Sequence, residues 1–168
     1  MRAHLEEEQR VFRSILVLAE VIVGVFGVPA LGGLFTRGAI PTWYAALRKP
    51  SFTPPDWVFG PVWTFLYLSM AVSAWLVWRK AGFEGAAKAA FVLFAAQLAL
   101  NAAWTPVFFG AHRIGAALVI IVLLWAAILA TMVSFWRITP PAGWFLLPYQ
   151  LWVTLATALN YEIWRLNR

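Results

Sequence analysis

The residues best suited to chemistry in this sequence are amides and indoles placed at helical spacing. Gln97, Asn101 and Trp104 lie at positions i, i+4 and i+7, so they share one face of a helix. A carboxamide without a partner is costly in an apolar environment, so this face should point inward. Amides and indoles orient a ligand by hydrogen bonding and stacking, and they supply no acid, base or metal for chemistry in the dark.

A second helical pattern repeats this arrangement near the end of the chain. Trp152, Ala156 and Asn160 lie at positions i, i+4 and i+8. A small residue between an indole and an amide leaves a notch where a flat ligand fits. Alternatively, Ala156 simply lets a neighbouring helix approach closely.

Other reactive residues are few and isolated. There is no cysteine, and the two histidines, His4 and His112, lie far apart, so we expect no metal site. His112 is either an axial haem ligand or an interfacial polar residue. Glu20, inside the first apolar run, either has a function or extends its carboxylate to the membrane surface. Nucleotide-binding, hydrolase and paired-carboxylate motifs are missing from the sequence.

Composition identifies the environment of these residues. Of the 168 residues, 62% are hydrophobic and 12% are charged, against about 25% charged in soluble domains. This balance excludes an ordinary soluble enzyme and intrinsic disorder. The net charge is +6, but the basic residues stand in short connectors between apolar runs. They therefore indicate contacts with lipid headgroups, and we expect no nucleic-acid partner.

The fold predicted from this pattern is an all-α membrane protein, a bundle of five transmembrane helices in a single domain covering 1–168. Residues 1–14 form a polar extension, and its Glu6, Glu7 and Glu8 argue against a cleaved signal peptide. Five apolar runs each match one crossing of about 20 residues. The predicted spans are 15–35, 58–78, 88–109, 114–136 and 143–164.

Five spans place the N-terminus on one side of the membrane, here called side A, and the first loop on the other, side B. Basic residues are nearly equal on the two sides, so charge does not fix the orientation. The first loop, Thr36 to Trp57, is long and rich in proline and aromatic residues. We interpret it as an ordered lid on side B, with a linker that only skirts the bundle as the alternative.

The alternating topology brings the polar and aromatic groups together in the side-B half. Trp63 lies near the start of the second span, and Asn101, Trp104, Ala156 and Asn160 lie toward the ends of the third and fifth. An aromatic concavity with few polar groups is typical of a small-molecule site. The alternative is that the amides only bond one another or the backbone of neighbouring helices.

A ladder of small residues marks another face of the third span. Ala95, Ala99 and Ala103 are spaced so that another helix can approach closely. This ladder predicts either a homodimer contact or packing inside one bundle.

Three segments resemble the TspO/MBR family, the tryptophan-rich sensory proteins and translocator proteins. They are KPSFTPPDWVFGPVWTFLY from Lys49, QLALNAAWTPVFFG from Gln97 to Gly110, and PYQLWVTLATALNYEIWRLN from Pro148 to Asn167. The similarity extends from about Gly24 to Asn167, nearly the whole chain. Three motifs in the same order make the resemblance specific.

The resemblance implies a five-helix bundle, often a homodimer, with a pocket for porphyrins, haem and isoquinoline- or benzodiazepine-type drugs. Some members bind cholesterol, for which Leu159, Tyr161 and Arg165 match a proposed motif. Carried over by motif position, the ligand-facing residues are Trp43, Tyr44, Trp63, Asn101, Trp104, Trp152, Ala156 and Asn160. Trp63 and Trp152 would be the pair tied to porphyrin degradation.

The function expected from this resemblance is porphyrin binding for tetrapyrrole transport, sensing or clearance. The alternatives are a light- and oxygen-dependent porphyrin-degrading enzyme and a ligand-gated regulator or scaffold. No cofactor is required, because porphyrin or haem enters as a ligand. We expect an integral protein of a bacterial inner membrane.

Overall fold

The chain is a bundle of five long α-helices. The computed structural model describes residues 2–168, apart from the side chains of residues 2, 3, 29, 31, 33 and 34. The helices are α1 Arg2–Ala39, α2 Asp56–Ala81, α3 Gly85–Thr105, α4 Ile114–Ile138 and α5 Pro140–Leu166, with no strand in the described chain. The predicted all-α membrane bundle is confirmed.

The helices are long enough to cross a bilayer, although they differ in composition. By length and apolar composition, α1 to α4 qualify as membrane spans. Helix α5 has 27 residues and more polar ones, among which Tyr149, Gln150 and Asn160 are buried. Its polar groups therefore face the interior of the bundle, as expected for a span that helps to form a site.

Helix α1 is much longer than the other helices. Its 38 residues give a length of about 57 Å, against a hydrocarbon thickness of about 30 Å. The predicted polar extension is helical from Arg2 onward and continuous with the span. The Trp75 indole donates to the carbonyl oxygen of Ser14 at 3.0 Å, near the side-A end of α2. The turns before Ser14 therefore extend toward and beyond the side-A end of the bundle.

Neighbouring helices form a closed ring in the order α1, α2, α5, α4, α3. The side-A half of this ring is filled by apolar side chains such as Met70, Val77 and Phe135, each essentially inaccessible to solvent. The Ser73 hydroxyl donates to the Ala142 carbonyl at 2.7 Å, and the Ser69 hydroxyl donates to the Phe145 carbonyl. These bonds fix α2 against α5, so the side-A half is a packed core.

The first loop is shorter than the sequence predicted. Helical backbone continues through Ala39, a π-helical turn over Ile40–Tyr44 and two further residues, which leaves only residues 47–55 without helix. The predicted span ended at 35, where the polar residues Thr36 and Arg37 follow the apolar run. Helical backbone nevertheless continues past Pro41, because the π-helical turn accommodates a residue that lacks a backbone N–H.

Candidate functional site

A cavity of about 350 Å³ lies in the side-B half of the bundle. Its volume falls in the usual range for small-molecule sites, about 300–1,000 Å³. All five helices contribute to its wall, and the segments that follow α1 and α3 also line it. The lining residues are Gly32, Thr36, Ile40, Tyr44, Asp56, Phe59, Gly60, Trp63, Tyr67, Asn101, Trp104, Thr105, Phe108, Phe109, Ile121, Leu124, Trp152, Val153, Ala156, Leu159, Asn160 and Ile163.

Three indoles on the wall are held in place by neighbouring rings. Trp63 stacks on Tyr67 with ring centroids 5.4 Å apart, and Trp104 stacks on Phe108 at 4.9 Å. Trp152 meets the ring of Phe59 edge to face at 5.7 Å. Because these contacts fix the indole planes before any ligand arrives, the cavity is preorganised for a flat aromatic molecule.

Asn101 forms the polar end of the cavity near the middle of the bundle. Its side-chain oxygen accepts a hydrogen bond from the Tyr67 hydroxyl at 2.9 Å, and its NH2 group donates to the Tyr149 hydroxyl at 2.8 Å. The amide therefore joins α3 to α2 and α5. A carboxamide has two donors and two acceptor positions, so Asn101 retains hydrogen-bonding capacity for a ligand.

Asn160 plays the same structural role closer to side B. Its side-chain oxygen accepts from the Trp104 indole at 3.0 Å, and its NH2 group donates to the Ile114 carbonyl at 3.1 Å. The amides bond neighbouring helices, and they also lie on the wall of one cavity.

The π-helical turn after α1 lines the cavity on side B, through Ile40 and Tyr44. Tyr44 lies on the wall, and the Lys49 ammonium sits 4.6 Å from the centre of its ring. Asp56, the first residue of α2, lines the same end of the cavity. Burial, and secondarily the Asp56 carboxylate, raises the pKa of Tyr44 above its ordinary value, so its hydroxyl is neutral at physiological pH.

A sequence model described as the TspO/MBR family matches residues 19–165. The chain belongs to the TspO/MBR family. The human translocator protein is 45% identical over 138 residues, which are 82% of each chain. The tryptophan-rich sensory protein of Cereibacter sphaeroides is 43% identical over 141 residues, 82% of this chain and 87% of that protein. Protein CrtK of Rhodobacter capsulatus is 40% identical over 154 residues, 92% of this chain and 94% of that protein.

Family membership and the membrane-spanning helices together make this TspO/MBR protein an integral membrane protein. Seven of the eight predicted ligand-facing residues line one cavity, and Trp43 does not. Its indole stacks on the imidazole of His112 at 4.1 Å and meets the Phe108 ring edge to face at 5.6 Å. Trp43 therefore fixes the loop segment from outside the cavity. His112 likewise lies against Trp43 and away from the cavity wall, so the geometry does not support an axial ligand there.

Two further sequence features lie away from the cavity of this TspO/MBR protein. Gln97 is buried, and its NH2 group lies 3.9 Å from the Met70 sulfur. This contact belongs to the packed side-A half of the bundle. Ala95 and Ala99 are exposed on the outer surface of the bundle, and Ala103 is half-buried. Ala95 and Ala99 therefore do not pack inside this bundle.

The proposed sterol motif does not form one surface. Leu159 is buried on the cavity wall, whereas Tyr161 is exposed on the other side of α5. Arg165 pairs with Glu162 at 2.6 Å. A single apolar ligand therefore does not contact all three residues at once.

Asn167, just after α5, fastens the loop segment to the bundle. Its side-chain oxygen accepts from the Arg48 backbone N–H at 3.0 Å, and its NH2 group donates to the Arg48 carbonyl at 2.9 Å. The same NH2 group donates to the Ile163 carbonyl at 2.7 Å. The loop before α2 is thus held near Arg48 by one side chain.

Asn167→Ala is expected to loosen residues 47–49 without unfolding the helices. The variant loses all three hydrogen bonds, and each is worth about 0.5–1.5 kcal/mol. Amide hydrogen exchange at Arg48 should accelerate by roughly tenfold. Arg168→Ala, one residue farther on, is the control and should leave that exchange unchanged. Equal protection of Arg48 in the Asn167 variant would contradict this role.

Sequence reasoning missed the partners of the predicted amides. Tyr67 lies one helical turn after Trp63, and Tyr149 lies three residues before Trp152. A buried tyrosine usually needs a hydrogen-bond partner, so both were candidates for the groups that satisfy Asn101. Phe108 continues the helical spacing of Asn101 and Trp104, and it was missed because a phenyl ring carries no polar group that distinguishes it within an apolar run.

Proposed function

We propose that this TspO/MBR protein binds porphyrins and similar flat apolar ligands in the side-B cavity. The observation that carries the proposal is the convergence of Trp63, Trp104 and Trp152 around one cavity, whose wall also carries the two buried amides of Asn101 and Asn160. Each indole stacked on a macrocycle contributes about 0.5–1.5 kcal/mol beyond the burial of its surface. Asn101 and Asn160 orient the polar atoms of the ligand. Transport, sensing and clearance of tetrapyrroles all begin with this binding step.

The binding experiment is a titration of detergent-solubilised protein with protoporphyrin IX in the dark, followed by quenching of tryptophan fluorescence. We expect saturable micromolar binding that Trp152→Ala weakens by roughly tenfold, through the lost stacking and burial. Trp144→Ala is the matched control, because Trp144 is 58% exposed near the side-A end of the bundle. Non-saturable quenching, or equal effects of the two substitutions, would overturn the proposal.

Light-dependent porphyrin degradation is a second candidate function, favoured by the position of Trp63 and Trp152 on the same wall. The same complex is illuminated in air while its absorbance is followed. If degradation is the function, porphyrin absorbance falls with native tryptophans and falls more slowly in Trp63→Phe and Trp152→Phe variants. A regulator or scaffold instead shows a ligand-dependent partner interaction and no loss of absorbance.

The proposal extends to assembly and location. A homodimer would use the outward ladder of Ala95, Ala99 and Ala103, which permits close helix approach. We place the protein in a bacterial inner membrane and assign it no required cofactor. Cross-linking of single-cysteine variants at Ala99 in native membranes tests the dimer, with Val119, exposed on α4, as the control position.

A further inference from the structure

Asp56 is the one charged residue among the described residues that line the cavity. It begins α2 and lies at the side-B end of the wall, where Tyr44 and Phe59 also face the cavity. The rest of the wall is apolar or carries neutral hydroxyl, amide and indole groups. Asp56 is exposed, and a ligand that fills the cavity meets its carboxylate at this end.

Among the described residues, no ion pair includes the Asp56 carboxylate. The Lys49 ammonium donates to the Ala45 carbonyl at 3.3 Å and lies over the Tyr44 ring. The ion pairs formed by the described residues join His4 to Glu8 and Glu162 to Arg165, and neither includes Asp56. The negative charge of Asp56 therefore acts on the cavity, as its effect on Tyr44 across the same end of the wall also indicates.

A carboxylate beside an apolar cavity discriminates between ligands by charge. The apolar wall screens charge poorly on one side of Asp56, while water reaches its exposed side, so a second negative charge about 6 Å away is repelled only moderately. A cationic, hydrogen-bond-donating or neutral group is accepted next to Asp56, whereas a second carboxylate is disfavoured.

We infer that Asp56 sets the charge preference of the cavity, favouring ligands whose side-B end is neutral or cationic over ligands that place a carboxylate there. This inference rests on the proposed porphyrin-binding function and specifies its ligand chemistry. The two propionates of a free porphyrin are then a liability at this end, and an esterified or amidated tetrapyrrole is the better ligand.

The experiment compares protoporphyrin IX with its dimethyl ester, which has the same macrocycle and no negative charge. Dissociation constants are measured in the dark for the native protein, Asp56→Asn and Glu84→Gln. Glu84 is an exposed acid that precedes α3 on side A and serves as the matched charge control. The ratio of the two dissociation constants is compared between the native protein and each variant. This comparison cancels the difference in hydrophobicity between the ligands, which is the same in every variant.

In Asp56→Asn we expect the free acid to bind roughly threefold to tenfold more tightly, while the ester changes by less than about twofold. Glu84→Gln should leave the ratio at its native value. The effect should shrink as ionic strength rises, because salt screens charges at an open cavity end. The ester also reports whether Asp56→Asn has kept its folded cavity.

The outcomes separate the two proposals. Saturable binding of both ligands with the same ratio in native protein and Asp56→Asn would overturn the role of Asp56 and leave the proposed function intact. Saturable binding of neither ligand to the native protein would overturn the proposed function and this inference with it.

Discussion

Ala156→Phe is expected to abolish porphyrin binding while leaving the bundle folded. Ala156 lies on the cavity wall, one turn from Trp152 and one turn from Asn160. A phenyl ring there enters the cavity instead of a packed core, so little overpacking cost arises. We expect affinity for protoporphyrin IX to fall by at least roughly a hundredfold, or about 2.7 kcal/mol. Titration measures the affinity, and thermal unfolding in detergent measures the stability.

Ala158→Phe is the control for this substitution. Ala158 is on the same helix but exposed on its outer side, so the added ring meets lipid or detergent. Its affinity should match that of the native protein. Native affinity in Ala156→Phe would show that the ligand occupies a different place, and loss of the cooperative unfolding transition would show that Ala156 is a packing residue.

The second large effect is expected at Asn101, where leucine should destabilise the bundle as well as weaken binding. The substitution removes the partner of the Tyr67 and Tyr149 hydroxyls, and both tyrosines are buried. Each buried polar group that loses its partner costs about 1–3 kcal/mol, so unfolding free energy should drop by about 2–5 kcal/mol. Chemical or thermal unfolding in a fixed detergent measures this loss.

The same network offers a rescue test. Adding Tyr67→Phe and Tyr149→Phe to Asn101→Leu removes the two unpaired hydroxyls and leaves an apolar cluster of similar shape. Such replacement of a whole network is often close to neutral, so the triple variant should regain most of the lost stability. If Asn101→Leu alone is as stable as the native protein, the hydrogen bonds contribute nothing to folding.

The sequence predicted which faces of α3 and α5 line the cavity, because two physical constraints act within a single helix. Polar groups in a membrane span must find partners, and their spacing shows which face they share. Asn101 and Trp104 on α3, and Trp152 and Asn160 on α5, satisfied both constraints. The alternation of five spans then placed these faces in the same half of the bundle.

The partners across helices were not predictable in this way. Which tyrosine reaches Asn101 depends on the tilt and rotation of α2 and α5, and spacing along one helix does not report either. Trp43 was misplaced for a related reason, because its direction depends on the π-helical turn Ile40–Tyr44 and on the His112 ring opposite. The helix continues past Pro41 although the apolar run has already ended, so hydropathy did not predict where the helix ends.

The packed side-A half gives the cavity a single open direction. Toward side A from Asn101 the interior is occupied by buried residues such as Met70, Val77 and Phe135, which belong to one apolar core cluster. A ligand bound as proposed would therefore enter and leave through the side-B half of the bundle. Its passage to side A would require the side-A packing to open. Uptake and return of the ligand would then occur on the same face of the membrane.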